Sequence, residues 1–216
     1  MTPQVWPVIH LSDDRRTIAN ANIAARCGCP GVFLIAMDGD DAKIAPAARL
    51  IRRGVPSLKI GANRLRSEPF DALLDNLNAG YDATWSDYTW QHEQLELIRD
   101  ADSDHLFFAA VAMKGETHNE PDPEGSAREA VARGFIPKTS GSGTGIAAPI
   151  KKITNMRKAI GPDAPLAMSG VDVSRMSELA PLVSHFLIAT CISKNFYEFD
   201  EAMLNDFMTK MKGATS

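Results

Sequence analysis

Several things are scarce in this sequence, and each shortage closes off a class of protein. There are three cysteines in 216 residues, Cys27, Cys29 and Cys191. An odd number without a regular framework argues against a disulfide-stapled fold. Cys27-Gly28-Cys29 has no second Cys or His pair at ligand spacing, so it reads as a tight turn with small buried thiols rather than half a zinc site. No apolar run approaches about 18 residues, so no membrane span is expected. The opening MTPQVWPVIHLSDD lacks a basic region ahead of a long apolar core, which argues against a secretory signal and for a cytoplasmic protein. Basic excess is missing too: the net charge is −4, without the electrostatic footprint of a nucleic-acid binder. Aromatics, at 7%, supply few stacking surfaces for a flavin. Hydrophobic residues, by contrast, make up 44% and charged residues 23%. That composition supports a large core rather than disorder, and the length suits one domain over residues 1–216.

The organising signal is an alternation of short β-rich runs with stretches of helical period. The runs are Val5–His10, Val32–Met37, Ser57–Ala62, Asp82–Ser86, His105–Met113, Phe135–Lys138, Pro165–Ser169 and His185–Ala189. Helices are predicted over Ile18–Arg26, Ala42–Arg53, Phe70–Asn78, Gln91–Arg99, Pro123–Arg133, Ile150–Ile160, Ser174–Leu182 and Phe199–Met211. In the last of these Met203, Leu204, Phe207 and Met211 share a core-facing stripe. Eight strands alternating with eight helices is the pattern of an α/β fold, the (β/α)8 TIM barrel. A doubly wound open sheet competes, but it carries an early glycine-rich turn. Here the first strand runs into HLSDD, and the glycine-rich segment, FIPKTSGSGTG, follows the sixth strand.

Chemistry in a barrel sits at the C-terminal ends of the strands, so those ends name the candidates. Ser169 and Gly170 after strand seven, with Ala189 and Thr190 after strand eight, form two small-residue turns where a barrel holds phosphate. Ser140, Gly141, Ser142 and Gly143 add a third wall, the glycines allowing close backbone approach. Strands three, five and six bring Lys59, Lys114 and Lys138. A lysine pointing into a barrel mouth needs a partner, and desolvation lowers its pKa toward Schiff-base chemistry. Asp87 is a general acid/base candidate or a helix cap. His10, Asp38, Asn63 and Trp85 are placed to line a substrate pocket. No cofactor is required. A divalent metal would fall to His10, Asp38, Asp87 and Glu116, with no spacing signature behind it.

Over nearly its whole length the chain resembles the BtpA-like barrel proteins. The matching stretches are PVIHL, LKIGANRLRSEP, NAGYDATWSD, TSGSGTG, PLAMSGVDVSRMSEL and HFLIATCISK, in the same order. The resemblance implies a barrel of the ribulose-phosphate-binding kind and a phosphate-type site. The family is named for a role in photosystem I assembly, so a non-catalytic assembly or regulatory factor is a second reading. SDDRRT stands where the family has a proline- and glycine-rich segment. Locally, KTSGSGTG is similar to the KTSTG segment of deoxyribose-phosphate aldolases. That similarity implies Lys138 as a Schiff-base lysine and Asp87 as a proton shuttle. The second lysine of those aldolases is replaced here by Ala167 or Met168. The expectation is therefore a barrel enzyme that binds a phosphorylated sugar or nucleotide-like molecule. Asp87, Lys114 and Lys138 would carry acid/base or Schiff-base chemistry, and the Met-bearing last helix offers a surface for self-association.

Overall fold

The computed structural model describes residues 2–90, 95, 104–115 and 117–215. The β-rich runs become eight parallel strands: β1 Gln4–His10, β2 Gly31–Ile35, β3 Lys59–Asn63, β4 Ala83–Trp85, β5 Leu106–Ala110, β6 Ile136–Thr139, β7 Ala167–Met168 and β8 His185–Ile188. They pair in chain order, and β1 closes the cylinder against β8, Gln4 opposite His185 through Pro7 opposite Ile188. The fold is a closed (β/α)8 barrel.

Between the strands run α1 Asp14–Arg26, α2 Ile44–Gly54, α3 Pro69–Asn78, α4 Pro123–Ala132, α5 Ile150–Ile160, α6 Met176–Leu179 and α7 Glu201–Gly213. The starts are chemically marked. Asp13, Asp122 and Asp200 each accept from a backbone N–H of the first turn, and Pro69 and Pro123 sit where no N–H is needed. The predicted helix Gln91–Arg99 lies outside the described residues except Leu95. The predicted helix Ser174–Leu182 is broken: 3-10 turns at Val173–Arg175 and Ala180–Leu182 flank the one-turn α6. Pro181 explains the second break, since it has no N–H to continue the ladder. In α7 Leu204, Phe207, Met208 and Met211 are buried, while Met203 is exposed and does not join the stripe. None of the described helices is long and apolar enough to cross a membrane.

Two apolar layers follow from the strand period of two. Residues facing the helices build the outer core. Those facing inward, led by Trp6, Phe33 and Phe108, fill the cylinder. Two glycines make room for these rings: a Cβ on Gly31 would strike Trp6, and one on Gly61 would strike Phe33. Phe33 meets Trp85 and Phe108 edge-on, at centroid distances of 5.9 and 5.4 Å. The barrel is therefore solid below the level of Trp85, and open chemistry is confined to its upper end.

Past β8 the chain forms a hairpin absent from the sequence expectation, β9 Ser193–Asn195 with β10 Glu198–Phe199. It is tied to α1 by Asn20, whose amide donates to the Tyr197 carbonyl and accepts from the Phe199 N–H.

Candidate active site

Register decides which side chains meet at the open end. His10, Ile35, Asn63 and Trp85 occupy one row across β1 to β4. Neighbours in a parallel row share a face, so His10 and Asn63 turn inward with Ile35 and Trp85. On β6, Ile136 faces inward, and Lys138, two residues on, does too. The strand ends thus bring Asn63, Trp85 and Lys138 into the top of the barrel. Lys59 is the first residue of β3, not its last. It is exposed at the opposite end, which removes it from the site.

A cavity of about 300 Å³ opens above this row. Its walls come from β1 (Val8, His10), β4 (Trp85), the β5–α4 loop (Lys114) and the turns after β6, β7 and β8. Asn63, Asp87 and Lys138, expected in the pocket, do not line it; Asn63 and Lys138 are fully buried because the strand register packs them into the barrel beside Trp85. Six of the eight expected phosphate positions line it: Ser140, Gly143, Ser169, Gly170, Ala189 and Thr190. Ser142 is exposed, outside the lining, and Gly141 is buried. Gly141, expected to allow ligand approach, serves packing instead. A Cβ on Gly141 or on Gly170 would collide with the Ile146 carbonyl. The two glycines let the β6 and β7 loops lie against each other, where Ala148 N–H donates to Gly170 O at 3.0 Å.

Asp38 does not enter this site. It is exposed and pairs with Lys43 at the start of α2. Among the described residues no three His, Cys, Asp or Glu side chains converge as a metal site; Glu116 lies outside them.

Lys138 is fully buried, with its Nζ 3.6 Å from the centroid of the Trp85 ring. Burial pulls its pKa down to about 7, opposed by the Asp87 carboxylate and reinforced by the Lys114 charge. Near neutral pH a large share of this amine is thus unprotonated and nucleophilic. Lys114 Nζ donates to Thr144 Oγ1 at 3.0 Å, linking the β5 and β6 loops across the cavity rim. His10 Nδ1 lies 2.8 Å from the Phe196 carbonyl, and its ring stacks on Phe196 at 4.2 Å. A carbonyl only accepts, so the proton belongs on Nδ1 and Nε2 keeps its lone pair. Desolvation lowers the His10 pKa, which favours this neutral form.

Two positioning groups escape a reading of the sequence. Lys152, on α5, donates to the carbonyls of Ala112, at 2.8 Å, and of Ser140. Ala112 has φ of 46°, a conformation unusual for a residue with a Cβ. It is held there by Lys152 and by Glu120, which accepts the Ala112 N–H at 2.7 Å. This turn ends β5 early and aims Lys114 at the mouth. A lysine three residues into a helix gives no sequence signal for such a role.

Among the described residues six buried side-chain polar atoms lack a hydrogen-bond partner. Five belong to Asn63 (both amide atoms), Trp85 Nε1, Asp87 Oδ1 and Lys138 Nζ. Buried polar groups are almost always paired, so their concentration at one end of the barrel sets that end apart from the rest of the described core.

No family model matches the sequence, and no curated protein matches it either. Solved structures do match. Orotidine 5'-phosphate decarboxylase from Pyrococcus horikoshii superposes with TM-score 0.74 at 12% identity, over 97% of this chain and 100% of that one. KGPDC from Streptococcus mutans gives 0.73 at 14% over 100% of both chains. A 3-hexulose-6-phosphate synthase gives 0.70 at 12%, over 96% of this chain and 99% of that one. At such identities the likeness establishes the (β/α)8 barrel fold, which this chain shares with those proteins over 96–100% of its length.

Proposed function

We propose that this protein is an enzyme that binds a phosphorylated carbonyl compound at the barrel mouth and reacts with it through Lys138. The observation that carries the reading is the buried Lys138 amine at the end of β6, which lies against the Trp85 ring and has no hydrogen-bond partner among the described residues, its pKa near 7. The phosphate would rest on the turns after β7 and β8, around Gly170 and Thr190, with Lys114 at hand for charge. Barrels similar in fold include proteins named for phosphorylated compounds, and the ordered stretches from PVIHL to HFLIATCISK support a BtpA-like kinship.

The chemistry is a Schiff-base lyase reaction. The Lys138 lone pair attacks the carbonyl carbon, and the C=O pair moves to oxygen. The resulting carbinolamine gains a proton and loses water, leaving an iminium. The bond between the adjacent α carbon and a hydroxyl-bearing β carbon can then break as that hydroxyl gives up its proton, its electrons flowing to the iminium nitrogen; the enamine so formed takes a proton on the α carbon and is hydrolysed to free the amine, and in reverse the bond forms. Asp87, close enough to raise the Lys138 pKa, and His10 Nε2 are the groups to move protons.

Borohydride trapping in the presence of D-glyceraldehyde 3-phosphate or dihydroxyacetone phosphate tests this. A reduced adduct mapped to Lys138 by mass spectrometry, and lost in Lys138→Ala, is the expected result. Absence of an adduct with either phosphate ends the Schiff-base reading.

A further inference from the structure

The buried polar groups of β3 and β4 fall into two sets with opposite fates. On the helix-facing side every group is matched. Asn76 donates to Ala62 O at 3.2 Å and to Thr84 Oγ1 at 3.0 Å, and accepts from Arg64 at 2.9 Å. Thr84 reaches His105, whose other ring nitrogen lies 2.9 Å from the Tyr81 carbonyl. Asn63, facing into the barrel on the same strand, is 0% exposed and has a partner for neither amide atom among the described residues. A fold that satisfies Asn76 one layer away has left Asn63 open in a position where burial without partners is costly.

We infer that Asn63 is a specificity-determining residue that reads a hydroxyl group adjacent to the carbonyl of the substrate. The inference rests on the function proposed above and names its substrate class, an α-hydroxy carbonyl phosphate. An amide presents one acceptor, Oδ1, beside a donor, Nδ2. Both are matched by two neighbouring oxygens of which one carries hydrogen, as in a hydroxyl beside a carbonyl or carbinolamine oxygen. A carboxylate offers acceptors alone and leaves Oδ1 facing an anion. A simple aldehyde offers a single acceptor and leaves Oδ1 unpaired.

The position agrees with this reading. Asn63 stands opposite Trp85 in register, and Trp85 touches both Lys138 and the cavity. Among the described residues the Trp85 Nε1 has no partner, so the indole is held by packing, edge-on to Phe33 and against Lys138, rather than by a hydrogen bond. A ligand anchored at Gly170 and Thr190 reaches the amine by displacing that ring, which brings its carbonyl end to Lys138 and Asn63 together.

The test compares D-glyceraldehyde 3-phosphate with 3-phosphooxypropanal, which lacks the hydroxyl. Each is offered to the wild type, Asn63→Leu and Asn63→Ser, with circular dichroism confirming that the variants fold. Two readouts are taken, borohydride trapping rate at Lys138 and ligand-induced shift in Tm. The wild type should favour the hydroxylated probe by on the order of tenfold or more. Asn63→Leu should erase the preference by weakening the hydroxylated probe more than the deoxy probe, and Asn63→Ser, which keeps a donor and acceptor, should retain part of it. If Asn63→Leu folds and weakens both probes equally, or leaves the preference intact, the inference is overturned. Should Leu not fold, full preference in Asn63→Ala overturns it instead. Loss of trapping with a Tm preference that still depends on Asn63 would sink the Schiff-base reading and spare this one. Neither trapping nor a Tm shift with either probe would remove both.

Discussion

Lys138 gives this protein a distinct pH dependence above neutrality. Lys138 has a folded pKa near 7, below its ordinary value of 10.5. Between those values the unfolded chain binds a proton that the folded chain does not, so stability rises with pH there, by up to about 1.4 kcal/mol per unit. Below pH 7 both states are protonated, and the cost of burying the charge is fully present. Lys138→Met should therefore be more stable than wild type at pH 6, and the gap should narrow steadily toward pH 10. Urea denaturation across that range measures it; a gap independent of pH would show that the amine is not desolvated. Lys138 is legible in the sequence because its strand and its place in the chain are. Asn63 is legible as a strand end. Its isolation is not, since pairing depends on which neighbours turn away, and Asn76 turns to Ala62 and Thr84 instead. Asp38 misleads because a strand-end aspartate reads the same whether it faces the mouth or turns outward to pair with Lys43.

At the scale of elements, the loops after β6 and β7 behave as one piece. Gly170, at φ of 68°, is pressed against the Ile146 carbonyl. Gly170→Ala should cost about 1–3 kcal/mol through backbone strain alone, and more through the collision. It should also weaken phosphate-ligand binding more than it lowers Tm, because the junction separates before the barrel opens. Isothermal titration beside thermal melts would check this; an unchanged affinity would mean the junction does not shape the anion site. Strand and helix identities come through in the sequence because periods of two and 3.6 are written into side-chain polarity. The β9–β10 hairpin does not. Its strands, SKN and EF, are too short to carry a period, and they are fixed instead by Asn20 on a distant helix. The strand expected over His105–Met113 is too long for a similar reason: Ala112 leaves the sheet through a turn imposed by Glu120 and Lys152, not by its own side chain.

For the molecule as a whole, the alternation of elements is enough to foretell a closed barrel, because eight parallel strands with covering helices bury both faces of the sheet. What alternation cannot foretell is how deep the barrel is filled. Trp6 and Phe33 occupy the space that Gly31 and Gly61 leave free, and Phe108 packs edge-on against Phe33, so the cylinder has a floor. For the Schiff-base reaction proposed above, a barrel with a floor has one doorway. Whatever enters to meet Lys138 must leave by the route it came, and two reactants cannot arrive from opposite ends. Turnover therefore has a fixed queue. The molecule that forms the covalent link enters first and departs last, and the released fragment obstructs the next arrival. Initial-rate kinetics should show an ordered sequence in which the last product to leave competes directly with the first substrate to bind, a traffic rule written by three aromatic rings that never touch the reactants.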